Sequence, residues 1–491
     1  MKNKKQTTVS IQGTAVYLKQ YMNALSRNGH FNGAALVAHQ GNILLCDGYG
    51  MANWEHEAPN SPHTKFRIGS ITKGFTALAI MQLQELGLLS VHDAISDYLP
   101  GYPRGDEITL HHLLTHTSGI PDYAGLPDYW ERTMRLYSPI EQTIASFQHE
   151  PLQFVPGERT SYTSSSFILL SAVIEKVSGL SFADYIAKRI CLPLGMKDSG
   201  VENGRTLLKH FASGYSVCGE IIPAEYVDMS ISLGGGGMYS TIADLYKWDR
   251  ALYTEALISH ESLRHIFGPY SPIFGGYGWV VTEEMIGGTK RKRAAHHGTM
   301  NGFCADFNRF VNDELVVIVL SNVNITPVER ISGDLARIVF GEELAVPAPM
   351  TAIELAAGEM GLYPGIYERA EQDGPHDADV QWQEAFASLS RLGTSEIAVG
   401  VYVNRFQEFG IHPGRTIIIT EEGQKLYLQM AKRHGAWYKY EIVPISANEH
   451  GTTFTAKHID ERIIFTRDSQ GSITIEHRDA YGNCMSAAKM S

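Results

Sequence analysis

The stretch RIGSITKGFTALAIMQ, residues 67–82, places a serine and a lysine three positions apart at the start of an apolar run. On a helix that begins there, Ser70 and Lys73 lie on nearly the same side. A serine at a helix N-terminus also sits near free N–H groups and the positive end of the helix dipole, which favours negative charge on its oxygen. A lysine can take up a proton only if burial or a nearby positive charge lowers its pKa. The stretch is therefore either a catalytic pair or an ordinary helix start with a solvated lysine.

The apolar run at 74–86 leaves little polar face. Such a helix is buried rather than amphipathic, and burial is the setting that would lower the pKa of Lys73. The spacing alone is weak evidence, because Ser486-Ala487-Ala488-Lys489 repeats it near the C-terminus. No buried helix is predicted after that second copy, which we expect to lie on a frayed tail without a catalytic role.

The composition is that of a globular protein with an acidic balance. The 491 residues are 44% hydrophobic and 19% charged, and this length suffices for about two or three domains. The net charge of −12 argues against a nucleic-acid binder, which needs a basic face to neutralise phosphates. The short basic run at 291–293 is expected to be a solvated loop.

The sequence predicts neither a transmembrane helix nor a signal peptide. No run of about 18 apolar residues occurs, so no transmembrane helix is expected. The segment 1–25 starts basic but has no apolar region after it, which predicts a cytoplasmic protein without a signal peptide, unless a leader has been removed. The five cysteines are scattered and form no CxxC spacing, which favours buried free thiols in a reducing compartment.

Strand and helix patterns predict one α/β domain, of the α+β kind, over residues 1–345. Strand patterns occur at both ends of this region and flank a helical middle, so the sheet is expected to be built from both ends with a helical subdomain inserted. The predicted strands are 33–39, 42–49, 277–282, 302–309 and 314–322, and the predicted helices are 74–86, 166–178, 181–191 and 328–340.

The pattern of residues changes after VPAPM, residues 346–350. This proline-rich stretch is typical of a linker. Short β-rich runs with polar turns follow, which is typical of a small antiparallel barrel or sandwich. These runs are 397–403, 416–420, 425–430, 437–443, 462–466 and 472–477. We therefore predict a boundary near residue 345, with a second, β-rich domain at 346–491.

A second candidate motif is Tyr162-Thr163-Ser164. A tyrosine phenol can shuttle a proton between a serine and a leaving group if a neighbouring cation lowers its pKa. Most tyrosines, however, are packing residues with a satisfied hydroxyl. Tyr402-Val403-Asn404, in the β-rich part, is expected to be one of these.

The third candidate is His296-His297-Gly298-Thr299. A strand that lines an acyl-transfer site needs a cation or donor, a residue without a side chain, and a backbone N–H that completes an oxyanion hole. Neighbouring histidines point to opposite faces of a strand, so only one of the two should enter the site. No third ligand has zinc spacing, so no metal is predicted. The glycine run 234–237 lacks a phosphate-binding motif and predicts a tight turn instead.

In order and spacing, these three motifs resemble the signature of the serine hydrolases that include class C β-lactamases, low-molecular-mass penicillin-binding proteins, D-aminopeptidases and related esterases. Other stretches are similar to the same family, among them LLTHTSGIPDY (113–123), PLGMKDSG (193–200) and GGGGMYSTIADLYKWDRAL (234–252). The resemblance covers about residues 30 to 340 and rests on several independent stretches in the same order. It implies a β-lactamase/transpeptidase-like fold with an antiparallel sheet. The C-terminal part looks similar to the lipocalin-like barrel that some relatives carry.

The resemblance also implies a role for each motif. Ser70 would be the nucleophile that forms an acyl-enzyme, Lys73 would take its proton or tune the site, and Tyr162 would be a general base and acid. The backbone N–H groups of Ser70 and Thr299 would form the oxyanion hole. Which of Lys73 and Tyr162 is the base for acylation stays open, and no metal or organic cofactor is implied. The substrate-binding positions would be Ser164, His296, His297 and Gly298.

Two positions depart from the family pattern. Ser164 stands where many members have asparagine, which binds the substrate amide, and a serine reaches less far. His296 stands where related enzymes have lysine or histidine, and a histidine that is charged only part of the time near neutral pH would hold a carboxylate less firmly. The serine therefore indicates a substrate that differs from a penicillin-like amide, and the histidine favours peptidases and esterases over the efficient β-lactamases.

The predicted function is therefore serine hydrolysis of a small peptide or amide through an acyl-enzyme. A carboxylesterase or a weak β-lactamase of the same family, acting on an ester or β-lactam, is the alternative. A non-catalytic binding or assembly protein on this fold is the alternative of a different class, and the presence of Ser70, Lys73 and Tyr162 argues against it. A homo-oligomer is compatible with the sequence.

Overall fold

The structure is a computed structural model that describes residues 11–127, 129–130, 132–270, 275–356, 358–369, 416–431, 437–449 and 451–490. Up to residue 356, the strands are β1 (Gly33–His39), β2 (Asn42–Tyr49), β3 (Met51–Asn53), β4 (Ala58–Pro59), β5 (Phe66–Arg67), β6 (Gly200–Val201), β7 (Tyr215–Pro223), β8 (Met238–Ser240), β9 (Val280–Ile286), β10 (Thr289–Met300), β11 (Phe303–Phe310) and β12 (Leu315–Ser321). The helices are α1 (Ile11–Arg27), α2 (Thr72–Glu85), α3 (Leu110–Leu114), α4 (Ile140–Phe147), α5 (Ser165–Ser178), α6 (Phe182–Ile186), α7 (Leu233–Gly236), α8 (Ile242–Ala251), α9 (His260–Ile266) and α10 (Val328–Val339).

A six-stranded antiparallel sheet with the order β2-β1-β12-β11-β10-β9 forms the centre of this part. The prediction that the sheet is built from both ends of the region is confirmed. Both faces of the sheet are covered, because alternate residues of β1 enter different apolar clusters. Ala35 and Val37 pack with residues of α1 and α10, and Ala34 and Leu36 pack with residues of α2 and α8. Burial on both faces explains the unbroken apolar run of β12.

Helix α2 is the buried helix that the apolar run predicted. Eleven of its 14 residues are buried, and it packs against α5, α7 and α9. It begins at Thr72, two residues earlier than predicted, and Gly87 follows its end with φ of +67°. The predicted helix 181–191 is α6 followed by a wider π-helical turn, Ala187–Cys191.

In the described part of the chain, no single helix is long and apolar enough to cross a membrane. One bent pair, Ser165–Ser178 with Phe182–Cys191, meets the requirement by length and composition alone.

The C-terminal strands form a closed antiparallel barrel of eight strands. Each strand pairs with the next, β13 pairs with β20, and β15 pairs with β16, which closes the ring. Apolar side chains such as Tyr367, Leu428 and Phe454 fill its core. The strands are β13 (Gly365–Arg369), β14 (Thr416–Glu422), β15 (Lys425–Ala431), β16 (Trp437–Asn448), β17 (Gly451–Ala456), β18 (Arg462–Arg467), β19 (Ile473–Arg478) and β20 (Cys484–Lys489). The predicted C-terminal barrel is confirmed, while the predicted strand 397–403, with the Tyr402 motif, lies outside the described residues.

One strand from the first part of the chain joins the barrel. Strand β7 pairs in parallel with β16, with Cys218 opposite Lys439 and Gly219 opposite Tyr440. Tyr215 and Val217 of β7 belong to the barrel's apolar core. A strand from the N-terminal side of the predicted boundary therefore contributes to the sheet on its C-terminal side.

The structure corrects three local predictions. The basic run 291–293 is part of β10 rather than a solvated loop, and Arg291 and Arg293 are only 16% and 19% exposed because they pair with Asp313 and Glu284. The tail at 484–489 is barrel strand β20 and is not frayed. The thiols are not uniformly buried, since Cys191 and Cys304 are buried whereas Cys218 and Cys484 are exposed.

Candidate active site

Ser70 lies on a short 3₁₀ turn, Gly69–Ile71, that runs directly into α2. Gly69 has a φ of +50°, and a Cβ at this position would lie 2.6 Å from the backbone oxygen of Thr299. Only glycine meets both conditions without strain. The Thr72 hydroxyl supports the turn by donating to the Gly69 carbonyl at 2.7 Å. The turn thus presents Ser70 at a helix N-terminus, close against β10.

Lys73 is the second residue of α2, and its side chain is fully buried. Its Nζ donates to the carbonyl oxygen of Gly235 at 2.6 Å and lies 3.1 Å from Ser70 Oγ and 3.3 Å from Ser164 Oγ. Burial lowers the pKa of Lys73 from 10.5 to about 7, and the negative charge of Asp122 opposes this shift. A large fraction of the amine is therefore neutral near pH 7, and a neutral amine beside a hydroxyl can accept its proton.

Tyr162 reaches Ser70 from the other side. Its hydroxyl donates to Ser70 Oγ at 2.6 Å, and Lys73 Nζ lies 4.8 Å from the centre of its ring. Although 36% of the side chain is exposed, burial around the hydroxyl raises the pKa of Tyr162, and hydrogen bonds with Ser70 and Ser164 offset part of this rise. The phenol is therefore protonated at neutral pH and suited to giving a proton.

Ser164 connects these two groups. Its hydroxyl contacts Lys73 Nζ and is also a hydrogen-bond partner of Tyr162. Its backbone N–H donates to Asp122 Oδ2 at 2.7 Å, which fixes the chain where α5 begins. The Ser164 side chain is thus engaged within the site, where it can pass a proton between Lys73 and Tyr162.

The far end of β10 lies against the Ser70 turn. Strand β9 pairs with β10 from Thr289 to Ala295, and the turn packs along the residues that follow. A Cβ on Gly298 would lie 2.0 Å from the backbone oxygen of Ile68 and 3.1 Å from Ser70 N, so this close approach requires glycine. A Cβ on Gly69 would lie 2.7 Å from Thr299 N. The backbone of Thr299 therefore lies close to the Ser70 turn, in the place that an oxyanion hole requires if Ser70 is the nucleophile.

His296 is buried and carries no charge. Its Nδ1 lies 2.7 Å from the carbonyl oxygen of His297. Because a carbonyl oxygen only accepts, Nδ1 holds the proton and Nε2 presents a lone pair. Burial and the charge of Lys73 lower the pKa of His296 to about 3. The expectation that this ring is charged part of the time near neutral pH is therefore wrong, and a neutral acceptor does not attract a carboxylate.

His297 does not join the site. Its Nδ1 lies 3.6 Å from Glu329 Oε1 on α10, on the opposite face of the sheet. The alternation of side chains along a strand separates it from its neighbour. The structure thus removes His297 from the predicted substrate-binding set, while Ser70, Lys73, Tyr162, Ser164, His296, Gly298 and Thr299 come together.

Sequence reasoning missed three contributors. His116 packs its ring 4.6 Å from that of Tyr162, Asp122 holds the Ser164 backbone, and the carbonyl of Gly235 accepts from Lys73. The first two lie in the stretch 113–123. This stretch indicated the family by its similarity, but it did not show that His116 and Asp122 contact the site. The role of Gly235 could not be predicted beyond the tight turn expected there, because this residue contacts Lys73 through its backbone carbonyl and not through a side chain.

The arrangement is suited to nucleophilic catalysis. A serine hydroxyl lies between a buried amine and a phenol, next to backbone N–H groups of a helix N-terminus and a strand. Among the described residues, no group of three or more His, Cys, Asp or Glu side chains is arranged to hold a metal ion.

The family model described as Beta-lactamase matches residues 18–341. The chain belongs to the beta-lactamase family. Within this family, it is 32% identical to a penicillin-binding protein of Bacillus subtilis over 332 residues, which cover 63% of this chain and 72% of that protein. It is 27% identical to the teichoic acid D-alanine hydrolase of Staphylococcus aureus over 313 residues, 60% of this chain and 72% of that protein.

A solved structure supports the same assignment for the fold. The octameric penicillin-binding protein homologue from Pyrococcus abyssi aligns with a TM-score of 0.61 and 23% identity, over 96% of this chain and 99% of that one. Its coverage extends beyond the residues that the family model matches. The chain is a beta-lactamase-family serine hydrolase with a C-terminal barrel.

Proposed function

We propose that this chain hydrolyses small peptides or amides of D-amino acids through an acyl-enzyme on Ser70. The observation that supports it most is the position of Ser70 Oγ, 3.1 Å from Lys73 Nζ and 2.6 Å from the Tyr162 hydroxyl. An amide needs both a base for the nucleophile and an acid for the departing nitrogen. The site holds one group of each kind in contact with the same oxygen.

Acylation begins at Lys73. The neutral amine takes the proton of Ser70 as Oγ forms its bond to the substrate carbonyl carbon. The carbonyl oxygen becomes an oxyanion, which the N–H groups of Ser70 and Thr299 stabilise. The pKa of Lys73, about 7, and the raised pKa of Tyr162 favour the lysine as the base for this step.

Expulsion of the amine then uses Tyr162. As the carbon–nitrogen bond breaks, the nitrogen takes the phenol proton, and Lys73 returns a proton to Tyr162 through the Ser164 hydroxyl. Deacylation repeats the sequence with water as the nucleophile. Lys73 takes a proton from the water and passes it to Ser70 Oγ as the ester breaks, so that the starting protonation is restored.

The uncharged His296 supports a substrate without a free carboxylate beside it. A ring with its Nδ1 proton committed to His297 offers only a lone pair, which pairs with an amine or hydroxyl donor rather than an anion. The name of the Staphylococcus aureus relative, a D-alanine hydrolase, supports a D-aminoacyl group as the part transferred to Ser70.

Ester hydrolysis is the second candidate. An alkoxide leaving group needs less proton donation than an amine, so the same residues suffice for it. The neutral His296 favours an ester over a penicillin, because a penicillin carries a carboxylate that the ring would not pair with.

The test combines two p-nitroanilides, of D-alanine and L-alanine, with p-nitrophenyl acetate and a fluorescent penicillin followed by intact-protein mass. Ser70→Ala is the variant, and Ser486→Ala, an exposed serine with the same spacing to a lysine, is the matched control. We expect faster release from the D-anilide, loss of every reaction in Ser70→Ala, and wild-type rates in Ser486→Ala. Release from the ester alone supports the second candidate, and Ser70-independent rates overturn both.

A further variant tests the role of His296. We expect His296→Lys to raise the acylation rate with substrates that carry a free carboxylate several-fold more than with otherwise identical amides, because lysine supplies the missing positive charge. Acylation rates are measured on such a substrate pair. An equal effect on both members contradicts the argument.

A further inference from the structure

The segment that carries Tyr162 lies outside helices and strands. Residues 159–163 have no regular structure, and α5 begins only at Ser165. A side chain on such a segment keeps a 2.6 Å contact to Ser70 Oγ only if its backbone is fixed from outside. Contacts from other parts of the chain must therefore hold the backbone of residues 159–163 in place.

His116 contacts three successive residues of this segment. Its carbonyl oxygen accepts from the Ser161 N–H at 2.9 Å, and its Nδ1 accepts from the Thr163 N–H at 3.2 Å. Its ring lies 4.6 Å from the Tyr162 ring with a tilt of 31°. The Tyr162 ring is thus close to both the His116 ring and the Lys73 amine, whose Nζ lies 4.8 Å from its centre.

The conformation of His116 is unusual. Its φ is +58°, in the left-handed region that non-glycine residues seldom adopt, and only 2% of the residue is exposed. Such conformations persist where surrounding contacts hold them, and they are concentrated at functional sites. Here the left-handed residue is also the one that lies against Tyr162.

The protonation state of the His116 ring is compatible with its position against Tyr162. Because Nδ1 accepts from the Thr163 amide, the proton of the neutral ring is on Nε2. Burial and, to a smaller extent, the charge of Lys73 hold the pKa of His116 well below its usual range. A neutral ring can stack on a phenol beside a cation without adding a second charge.

We propose that His116 is the positioning residue for Tyr162, which it holds in contact with Ser70 through a ring contact and two accepted hydrogen bonds, one at its carbonyl oxygen from the Ser161 N–H and one at its Nδ1 from the Thr163 N–H. This inference rests on the proposed function only in assigning Tyr162 a part in the reaction. A misplacement of a reacting group by about 1 Å can lower the rate roughly 100-fold. In the proposed steps His116 neither exchanges a proton nor forms a bond with the substrate.

Two substitutions separate the two kinds of contact. His116→Asn keeps an acceptor atom at the same distance along the side chain and tolerates the left-handed backbone, but removes the ring. His116→Phe keeps a ring and the backbone carbonyl but removes the Nδ1 acceptor. His92→Asn, at an exposed histidine, is the matched control.

Hydrogen–deuterium exchange of the peptide that covers residues 160–165 measures the positioning directly. Exchange in this peptide is expected to be faster in His116→Phe, by about tenfold, and close to wild type in His116→Asn and His92→Asn. The turnover of the D-anilide and of p-nitrophenyl acetate measures the consequence. We expect kcat to fall roughly 10- to 100-fold in both His116 variants, with KM changed less than about threefold.

The outcomes are distinct. Unchanged exchange in His116→Phe, or unchanged kcat in a folded His116→Asn, overturns the inference. If His116→Phe does not fold, kcat of His116→Asn decides, because a purely structural role moves the melting temperature without lowering kcat. If the wild type shows no Ser70-dependent reaction, the proposed function fails, and exchange alone decides whether His116 holds the segment.

Discussion

The spacing Ser-x-x-Lys occurs in two regions of this molecule with opposite results. In Ser70-Ile71-Thr72-Lys73 the chain enters helix α2, and the lysine Nζ lies 3.1 Å from the serine Oγ. In Ser486-Ala487-Ala488-Lys489 the chain is strand β20 of the barrel, where side chains three positions apart point to opposite faces. There Ser486 is exposed and Lys489 donates to the carbonyl of Leu362 at 2.9 Å. The secondary structure, rather than the spacing, brings the serine and lysine of the first pair into contact.

Burial is the second difference between the regions. Lys73 is fully buried in the helical core, where three oxygen atoms surround its Nζ. Ser486 and its neighbours lie on a barrel whose apolar residues are directed into a separate core. A helix that is apolar all round thus both places the lysine and lowers its pKa. Substitutions of the two lysines test this contrast directly.

The largest effect is expected from removing each lysine amine. Lys73→Met should lower kcat/KM for the D-anilide and the ester by roughly 10²- to 10⁴-fold, the usual contribution of a general base. Lys489→Met, in the same spacing on β20, should leave both rates within about twofold of wild type. Both variants are measured by initial rates with matched protein concentrations. Equal losses, or none in Lys73→Met, would contradict the contrast between helix and strand.

A smaller effect is expected from pH. Because the pKa of Lys73 is lowered to about 7, its base form appears as pH rises through 7. We expect kcat/KM for the ester to increase by roughly 100-fold between pH 5 and pH 8, after subtraction of the Ser70→Ala rate. His296, with a pKa of about 3, contributes no step in this range.

The pH profile has a matched control. Asp306, on β11, also has a pKa near 7, because burial raises it to about that value. It pairs across the sheet with His297, whose side chain faces away from Ser70. The midpoint of the pH profile should therefore be the same in Asp306→Asn as in the wild type. A shifted midpoint in this variant would mean that Asp306, rather than Lys73, is the group whose titration controls kcat/KM.

Local patterns in the sequence predicted those structural features that depend on a single helix or strand. The apolar run after Ser70 predicted a buried helix. The requirement for glycine at 298 comes from the close approach of this strand to the Ser70 turn. The opposite orientations of His296 and His297 come from the two faces of the same strand. The short strands at regular spacing predicted a small antiparallel barrel or sandwich, the family resemblance favoured the barrel, and the structure shows that it is closed.

Contacts between distant segments could not be predicted in this way. The pairing of β7 with β16 joins residues more than 200 positions apart, and no local pattern specifies such a pair. The left-handed φ of His116 and the carbonyl of Gly235 at Lys73 are backbone features that depend on tertiary packing. For the same reason, the charge on His296 could not be derived from its residue type, since its burial determines it.

The smallest expected effect concerns stability. Because the folded-state pKa of Lys73 is depressed from 10.5 to about 7, the unfolded chain binds one more proton than the native chain between these two values. The destabilisation is therefore fully present below pH 7 and is lost as pH rises toward 10.5. The stability advantage of Lys73→Met over wild type should decrease by about 1 to 3 kcal/mol from pH 7 to pH 10, as measured by urea unfolding. The difference between Lys489→Met and wild type should stay constant. A constant difference for Lys73→Met as well would mean that the buried amine is charged throughout, and the lysine could not then be the base that the contrast with β20 requires.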